Sequence, residues 1–155
     1  RDTGPAGGLI FYDNGSFSSG WRYLEAAPED QSIEPIWGCA GTLITISSAD
    51  SSAVGAGSQN TVDIETGCET TDTAADICAN FSSGGYDDWF LPSTGELQPL
   101  YTNLYLMSVG GFTAGTYWSS SQSDADYGWA FNFNDNTSVL KIKSEAAYVR
   151  PVRAF

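Results

Sequence analysis

The sequence predicts an α+β domain with an antiparallel sheet and two or three short helices. Strand-like segments lie at both ends of the chain, and helix-like segments lie between them. A hydrophobic content of 41% over 155 residues is enough for one buried core. We therefore expect residues 1–155 to form a single domain. The opening "RDTGPAGG" suggests a processed protein or a module cut from a longer one.

The N-terminal segment "GGLIFYDNGSFSSGWRYLEAAP" (7–28) has the pattern of two short strands. Asn14-Gly15 in its middle is a favoured hairpin turn, because both residue types tolerate positive φ angles. A long segment rich in Gly, Ser and Thr follows, including "GTLITISSADSSAVGAGSQ" (41–59). This composition indicates a loop.

Three short helices are predicted in the middle of the chain. The first starts at Ser58 and ends at Gly67, and the second, "TDTAADICANF" (71–81), repeats its apolar residues on one helical face. The third opens on Ser93-Thr94-Gly95-Glu96, a capping box in which the first and last residues satisfy backbone N–H groups. We prefer this structural role for Glu96 over a catalytic one, because helix caps far outnumber catalytic carboxylates.

The chain contains three cysteines, and they form no CxxC motif. Cys78 falls on the apolar face of the second predicted helix, which favours a buried thiol. Cys39 and Cys68 then become the predicted disulfide, with a Cys68–Cys78 bridge as the alternative. A disulfide and the scarcity of lysine favour an extracellular location.

The last third of the sequence predicts an antiparallel meander, because its apolar residues follow a period of two. Its strands are "TYWSSS" (116–121), "YGWAFNFN" (127–134), "VLKIKS" (139–144) and the terminal "AYVRPVRAF" (147–155). The second strand alternates aromatic with small or polar residues, which predicts one aromatic face. Pro151 indicates that the final strand lies at an edge or carries a bulge.

The chain is strongly acidic. Nineteen acidic and six basic residues give a net charge of −13, and four of the bases lie in residues 141–155. Such a surface repels nucleic acid and anionic lipid, and no apolar run approaches the roughly 20 residues that span a bilayer. The absence of histidine excludes a Ser-His-Asp triad and an imidazole zinc site. Any bound metal would meet oxygen ligands, which favours Ca²⁺.

The stretch "GGYDDWFLPSTGEL" places two adjacent carboxylates just before the capping box. Asp87 and Asp88 point to opposite faces of an extended segment, which argues against a shared acid/base or metal site. We expect a turn in which one carboxylate is held by backbone N–H groups or by an arginine. Arg150 and Arg153 lie at odd separation and should face opposite sides of the terminal strand. One of them should be buried against Asp88 or Glu96.

A family resemblance rests on six motifs in their order along the chain: "GPAGGLIFYDNG", "WGCAGT", "GAGSQNT", "GGYDDWFLPSTGEL", "YWSSS" and "YVRPVRAF". Together they resemble the C-terminal domain family of the bacterial collagen-like adhesin Lcl over nearly the whole chain. More distantly, they are similar to the C-type-lectin-like fold, which includes formylglycine-generating enzymes. The resemblance implies adjacent first and last strands, a binding surface on long loops, a bacterial cell-surface location and a homotrimer formed through the longer parent protein.

The resemblance also implies a sulphated polysaccharide as the ligand, which requires a basic patch. Residues 1–140 hold two basic and 18 acidic side chains, a charge of −16, and only residues 141–155 are net positive. The charge therefore favours a neutral or cationic ligand, or one bridged by Ca²⁺. Formylglycine-type catalysis needs a reactive cysteine pair late in the domain, and no cysteine follows Cys78. We therefore expect that the domain is not an enzyme.

The predicted ligand-binding residues are Asp124, Asp126, Tyr127 and Trp129. Carboxylates and large aromatics coincide there, and sugars bind aromatic faces that are flanked by planar polar groups. Asp124 and Asp126 are also candidate calcium ligands, although a lone DxD is more often a solvated turn, and Trp129 could equally belong to the core. The 41–57 loop and residues 144–147 are expected to contribute.

Three functions compete at this level. A non-enzymatic recognition module, lectin-like and binding a glycan or another cell-surface ligand with or without Ca²⁺, fits the observations best. A structural cap or trimerisation domain of a longer adhesin is the alternative. A glycosidase with two carboxylates is permitted by the acidic composition, but no motif supports it.

Overall fold

The computed structural model describes residues 2–31, 34–47 and 51–155. These residues form the predicted α+β arrangement, with strands at both ends and helices between them. The strands are β1 (Leu9–Ser18), β2 (Trp21–Ala26), β3 (Thr116–Gln122), β4 (Tyr127–Asn132), β5 (Thr137–Ile142) and β6 (Val152–Ala154). The helices are α1 (Gly57–Gly67), α2 (Ala74–Ala79), α3 (Thr94–Asn103) and a 3₁₀ turn at Tyr105–Met107. No helix in the described ranges is long and apolar enough to cross a membrane.

The strands form two antiparallel sheets of three strands each, whereas the sequence predicted one. The first has the order β1-β2-β6 and the second has the order β3-β4-β5. The terminal strand β6 pairs with β2, with Leu24 opposite Ala154 and Ala26 opposite Val152. Both chain ends therefore share a sheet, but β2 lies between the first and last strands.

The N-terminal hairpin turns at a different place from the predicted one. Ser19 and Gly20 make the turn, and both have positive φ angles (53° and 88°), as a tight two-residue connection requires. Gly15 lies inside β1 at a register irregularity, where its N–H bonds Asp13 Oδ1 at 2.8 Å. The Asn-Gly pair thus produces a local bend in the strand, and the chain reverses five residues later.

Both faces of the β3-β4-β5 sheet contribute residues to a core, so the prediction of one aromatic face describes only half of it. On one face Tyr117 and Phe131 enter an aromatic cluster with Tyr101 of α3. On the other face Trp118 and Ala130 pack in a second core around Trp37. Small residues alternate with the aromatics in β4 because the second core leaves no room for larger side chains there. A Cβ on Gly128 would lie 2.9 Å from the Trp37 ring.

The predicted disulfide is present, and it joins Cys39 to Cys68. Cys78 is a fully buried free thiol in the Trp37 core, and burial raises the pKa of this thiol well above its usual range. The periodicity of α2 therefore assigned Cys78 correctly.

Both C-terminal arginines are buried, each with its own acidic partners. Arg153 binds Glu25 at 3.0 Å and also binds Asp88. Asp88 is one of the two acidic partners that the sequence predicted for a buried arginine. Arg150 binds Asp30 at 2.7 Å and does not pair with Glu96. Arg150 is buried as well as the one arginine that was expected, because it precedes the short regular strand and reaches the core from the irregular segment before Pro151.

The predicted capping box of α3 is complete. Ser93 Oγ accepts the N–H of Glu96, and a Glu96 carboxylate oxygen accepts the N–H of Ser93 at 2.7 Å. Ser93 Oγ also donates to the carbonyl of Ala53 at 2.7 Å. The cap therefore joins the helix to the segment that precedes α1.

Replacing Ser93 with alanine is expected to lower the free energy of unfolding by about 1–2 kcal/mol, because it leaves a helix N–H group and the Ala53 carbonyl without their partner. Urea unfolding followed by circular dichroism measures this change. Thr102→Val is the matched control, because Thr102 is on the same helix and its hydroxyl bonds a carbonyl near the surface. A loss as large in the control as in Ser93→Ala would contradict the capping argument.

Candidate functional site

The predicted site residues Asp124 and Asp126 lie in the connection between β3 and β4. One carboxylate oxygen of Asp124 accepts the backbone N–H groups of Asp126 and Tyr127, each at 2.8 Å. The N–H of Asp124 in turn bonds the carbonyl of Tyr127. Asp124 thus closes the turn, as short acidic side chains commonly do, and both aspartates are exposed.

A fully buried lysine, which the sequence analysis did not select, organises this turn. The Lys143 ammonium donates to the carbonyl of Thr42 (2.9 Å) and to Oε1 of Gln122 (2.7 Å). It also lies 4.5 Å from the centre of the Trp37 ring, as a cation–π pair. Burial lowers the pKa of Lys143, and the charges of Asp124 and Asp126 oppose that shift. The sequence pattern "VLKIKS" carried no signal for this burial.

Gln122 joins the segment after Cys39 to the β3–β4 connection. Its amide binds both backbone groups of Ile44, accepting the N–H at 2.9 Å and donating to the carbonyl at 2.8 Å. The N–H of Gly41 bonds the carbonyl of Ala125 at 3.0 Å. We call residues 38–44 and 122–127 together the loop cluster.

Tyr127 and Trp129 share the face of β4 with the buried Phe131 and lie toward the exposed end of that face. In the register of β4 and β5, Tyr127 is opposite Ile142 and Trp129 is opposite Leu140. Leu140 is 50% exposed, Ile142 40% and Tyr127 37%, while Trp129 is partly buried. We call these four residues the outer strip. It is an apolar surface at the edge of the sheet, directly after the loop cluster.

Trp129 also forms one wall of a cleft of about 290 Å³, whose other lining residues are Ser52, Thr94 and Ser138. This volume is near the lower end for ligand pockets, and it suits one small ring better than an extended ligand. An indole face beside hydroxyl groups has the composition that sugar binding requires, because C–H faces stack on the ring while hydroxyls need hydrogen-bond partners.

The capped helix start forms the polar wall of this cleft. The N–H of Thr94 bonds Ser121 Oγ at 3.1 Å, and Ser121 Oγ donates to the carbonyl of Ser51 at 2.7 Å. The N–H of Gly95 bonds the carbonyl of Ser52 at 2.8 Å, and a Cβ on Gly95 would lie 2.4 Å from that oxygen. The "LPSTGEL" motif therefore both caps α3 and contributes Thr94 to the lining of the cleft.

Glu96 is buried beneath the cleft wall and holds the loop before α1. Its carboxylate accepts the N–H of Gly55 at 2.8 Å as well as that of Ser93. Burial raises its pKa to about 7, although the N–H groups of Ser93, Gly55 and Gly57 act in the opposite direction. Gly57 is required at this contact, because a Cβ there would lie 2.2 Å from the carboxylate.

This raised pKa predicts that Glu96 makes the domain more stable in mild acid. Since its folded pKa exceeds the unfolded value of 4.5, the folded state binds more protons between pH 4.5 and 7. Its contribution is full below pH 4.5 and is lost as the pH rises through 7, and it amounts to up to about 3 kcal/mol. Chemical unfolding at pH 5 and pH 8 should show that Glu96→Gln removes this component. An identical pH dependence in wild type and variant would contradict it.

The structure separates the predicted site residues into two groups. Asp124 and Asp126 belong to the loop cluster around Lys143, and Trp129 faces the cleft, with Tyr127 between them on the outer strip. The 41–57 loop reaches both groups, through Thr42 and Ser52, and its residues 48–50 lie outside the described residues. Of residues 144–147, Ala146 pairs with Ile36, and the Ala147 N–H bonds the carbonyl of Pro35.

The cations that the structure describes are all engaged by acidic or polar partners. Arg22 pairs with Asp13, Lys141 pairs with Glu145, and Lys143, Arg150 and Arg153 are buried. The positive C-terminal segment therefore offers little free charge to an anionic ligand. Within residues 2–31, 34–47 and 51–155, no three acidic or cysteine side chains converge as metal ligands do.

Over residues 30–153 the sequence matches the Lcl C-terminal domain family. The chain belongs to this family. No characterised protein sequence matches it significantly. Among solved structures, the fold is similar to a fimbrial protein from Bacteroides ovatus, with a TM-score of 0.57 and 14% identity over 88% of this chain and 36% of that protein. This chain thus spans about a third of that structure, and at this identity the likeness shows the fold alone.

Membership of the Lcl C-terminal domain family confirms the resemblance that the six motifs indicated. It makes the chain an adhesin-associated domain. The Cys39–Cys68 disulfide fits the extracellular location expected of such a domain.

Proposed function

We propose that this Lcl C-terminal domain is a non-enzymatic recognition module of a bacterial surface protein, with a lectin-like fold and a glycan or another cell-surface ligand. The observation that carries the proposal is the cleft of Trp129, Thr94 and Ser138, which opens beside the exposed outer strip. Large partly exposed aromatics on a rigid sheet are typical of binding surfaces, because they add contact area with little loss of conformational freedom.

The ligand we propose is uncharged at the cleft. The residues that line it are neutral, and the surrounding chain has a net charge of −13. The described cations have partners that a sulphated chain would have to displace, and breaking the buried pairs is costly. A neutral sugar meets neither obstacle, and it gains from stacking on the Trp129 indole.

A purely structural role, as a cap or trimerisation domain of the parent adhesin, is the alternative. The outer strip supports it too, since exposed apolar residues at a sheet edge also suit contact between subunits. In the recognition role the partner is a glycan or cell-surface ligand, with no nucleic acid and no membrane insertion, and any homotrimer forms through the longer parent protein. Calcium bridging by Asp124 and Asp126 is the alternative to calcium-independent binding, and it would make recognition depend on Ca²⁺.

A glycan array that contains neutral and sulphated structures tests the proposal, and it is run with Ca²⁺ and with a chelator. We expect neutral glycans among the bound structures and weak or no binding to heparin-like chains. Binding restricted to sulphated structures would contradict the charge argument. No glycan bound, together with self-association that depends on the outer strip, would favour the structural role.

A further inference from the structure

The loop cluster is built around a cation that the chain itself supplies. The Lys143 ammonium is fully buried, and its two hydrogen-bond acceptors, the Thr42 carbonyl and Gln122 Oε1, are both neutral oxygens. The Trp37 ring faces the ammonium from a third direction. A buried charge is costly unless it is paired and hydrogen-bonded, and here two neutral oxygens accept the hydrogen bonds of the ammonium.

The contacts of Lys143 add to the direct bonds that already join the two segments of the loop cluster. Thr42 lies in the segment that follows Cys39, and Gln122 is the last residue of β3. The backbone N–H of Lys143 also bonds the carbonyl of Asp126 at 2.9 Å, and the carbonyl of Lys143 accepts the N–H of Gly38 at 3.2 Å. Both the main chain and the side chain of this residue therefore join the loops.

The charges around the ammonium are those of a cation site. The charges of Asp124 and Asp126 favour the charged form of Lys143, and the backbone of the Asp126 turn bonds the Lys143 N–H. In calcium-binding loops a divalent ion draws carboxylates, carbonyls and amide oxygens together. Here a carbonyl and a side-chain amide oxygen contact the lysine ammonium, and the two aspartates lie in the adjoining turn.

We propose that the Lys143 ammonium is the resident cation of the loop cluster, and that the loops adopt their structure without Ca²⁺. This inference rests on the proposed function only in that it concerns the calcium dependence of the same site. Its test uses the protein and Ca²⁺ alone and does not require a glycan. Lys143 acts here as a positioning residue, because it fixes Thr42, Gln122 and the Asp126 turn and is itself buried.

Two substitutions at one position separate this role from that of an ordinary buried lysine. Lys143→Ala removes the charge and leaves space among the oxygens, whereas Lys143→Met removes the charge and fills the space. Millimolar Ca²⁺ should raise the melting temperature of Lys143→Ala by at least about 4 °C, and it should change that of the wild type and of Lys143→Met by less than about 1 °C. Adding Asp126→Asn to Lys143→Ala should reduce the calcium response.

Each result decides the proposal. A Lys143→Ala protein that folds but shows no calcium response would overturn the assignment of a cation site. A calcium response in the wild type that Asp124→Asn with Asp126→Asn abolishes would show that the loops hold a metal ion alongside Lys143, and would also overturn it. If Lys143→Ala does not fold, calorimetric titration of the wild type with Ca²⁺ decides alone: no binding supports the resident lysine, and stoichiometric binding at these aspartates contradicts it. The glycan array can fail without affecting any of these measurements.

Discussion

Replacing Arg153 with methionine is expected to lower the free energy of unfolding by about 3–5 kcal/mol, enough to unfold a domain of ordinary stability at moderate temperature. Glu25 is fully buried, and Arg153 is its charged partner. Without Arg153, the Glu25 carboxylate still accepts the N–H groups of Ala6 (3.3 Å) and Gly8 (3.1 Å). Its charge is then unpaired in an interior that penalises an unpaired charge. Urea unfolding measures the loss.

Two further variants test the cause of this loss. Glu25→Gln combined with Arg153→Met should be more stable than Arg153→Met alone, because the double variant has no unpaired buried charge at this position. Arg22→Met is the matched control, since Arg22 also binds a carboxylate but at the surface, and we expect no measurable change. Equal losses at Arg22 and Arg153 would show that burial does not set the cost.

Removing the disulfide is the second change with a large expected effect. Cys39→Ser with Cys68→Ser should lower the free energy of unfolding by about 3–4 kcal/mol, because the bond closes a loop with a sequence separation of 29 and restricts the unfolded chain. The loop contains α1, and the bond also anchors the loop cluster through Cys39.

Reductant provides the control for this prediction. Dithiothreitol should destabilise the wild type by about as much as the double substitution does, and it should leave the double variant unchanged. A wild type that keeps its stability in reductant would contradict the prediction. So would a Cys78→Ser variant that no longer responds to reductant, because that result would assign the bond to Cys78.

The local elements could be predicted because their signals are carried by neighbouring residues. The capping box lies within four residues, and the apolar face of α2 within eight, so that the third helix and the buried Cys78 followed from spacing alone. The hairpin turn failed for a related reason. Asn14-Gly15 has the right chemistry for a turn, but the pairing of β1 with β2 places the reversal at Ser19-Gly20.

The candidate site could be predicted only in part, because the contacts that build it are distant in sequence. Trp129 and Asp124 were selected for their chemistry, but nothing local indicates that Thr94 shares a cleft with Trp129 or that Lys143 is buried against Thr42. The bond from Lys143 to Thr42 spans 101 residues. A lysine in an alternating strand predicts exposure, and the tertiary packing around Trp37 overrides that prediction.

The claim that recognition centres on Trp129 is tested most directly by the dissociation constant of the strongest glycan from the array, measured by calorimetry for two variants. Trp129→Ala should weaken binding by at least about 30-fold, the change expected when a central aromatic contact worth about 2 kcal/mol is lost. Trp21→Ala is the matched control, because Trp21 is also a partly buried tryptophan but lies in the other sheet, against Tyr12 and Gly55. Binding by Trp129→Ala within twofold of the wild type, or an equal loss in Trp21→Ala, would contradict the account.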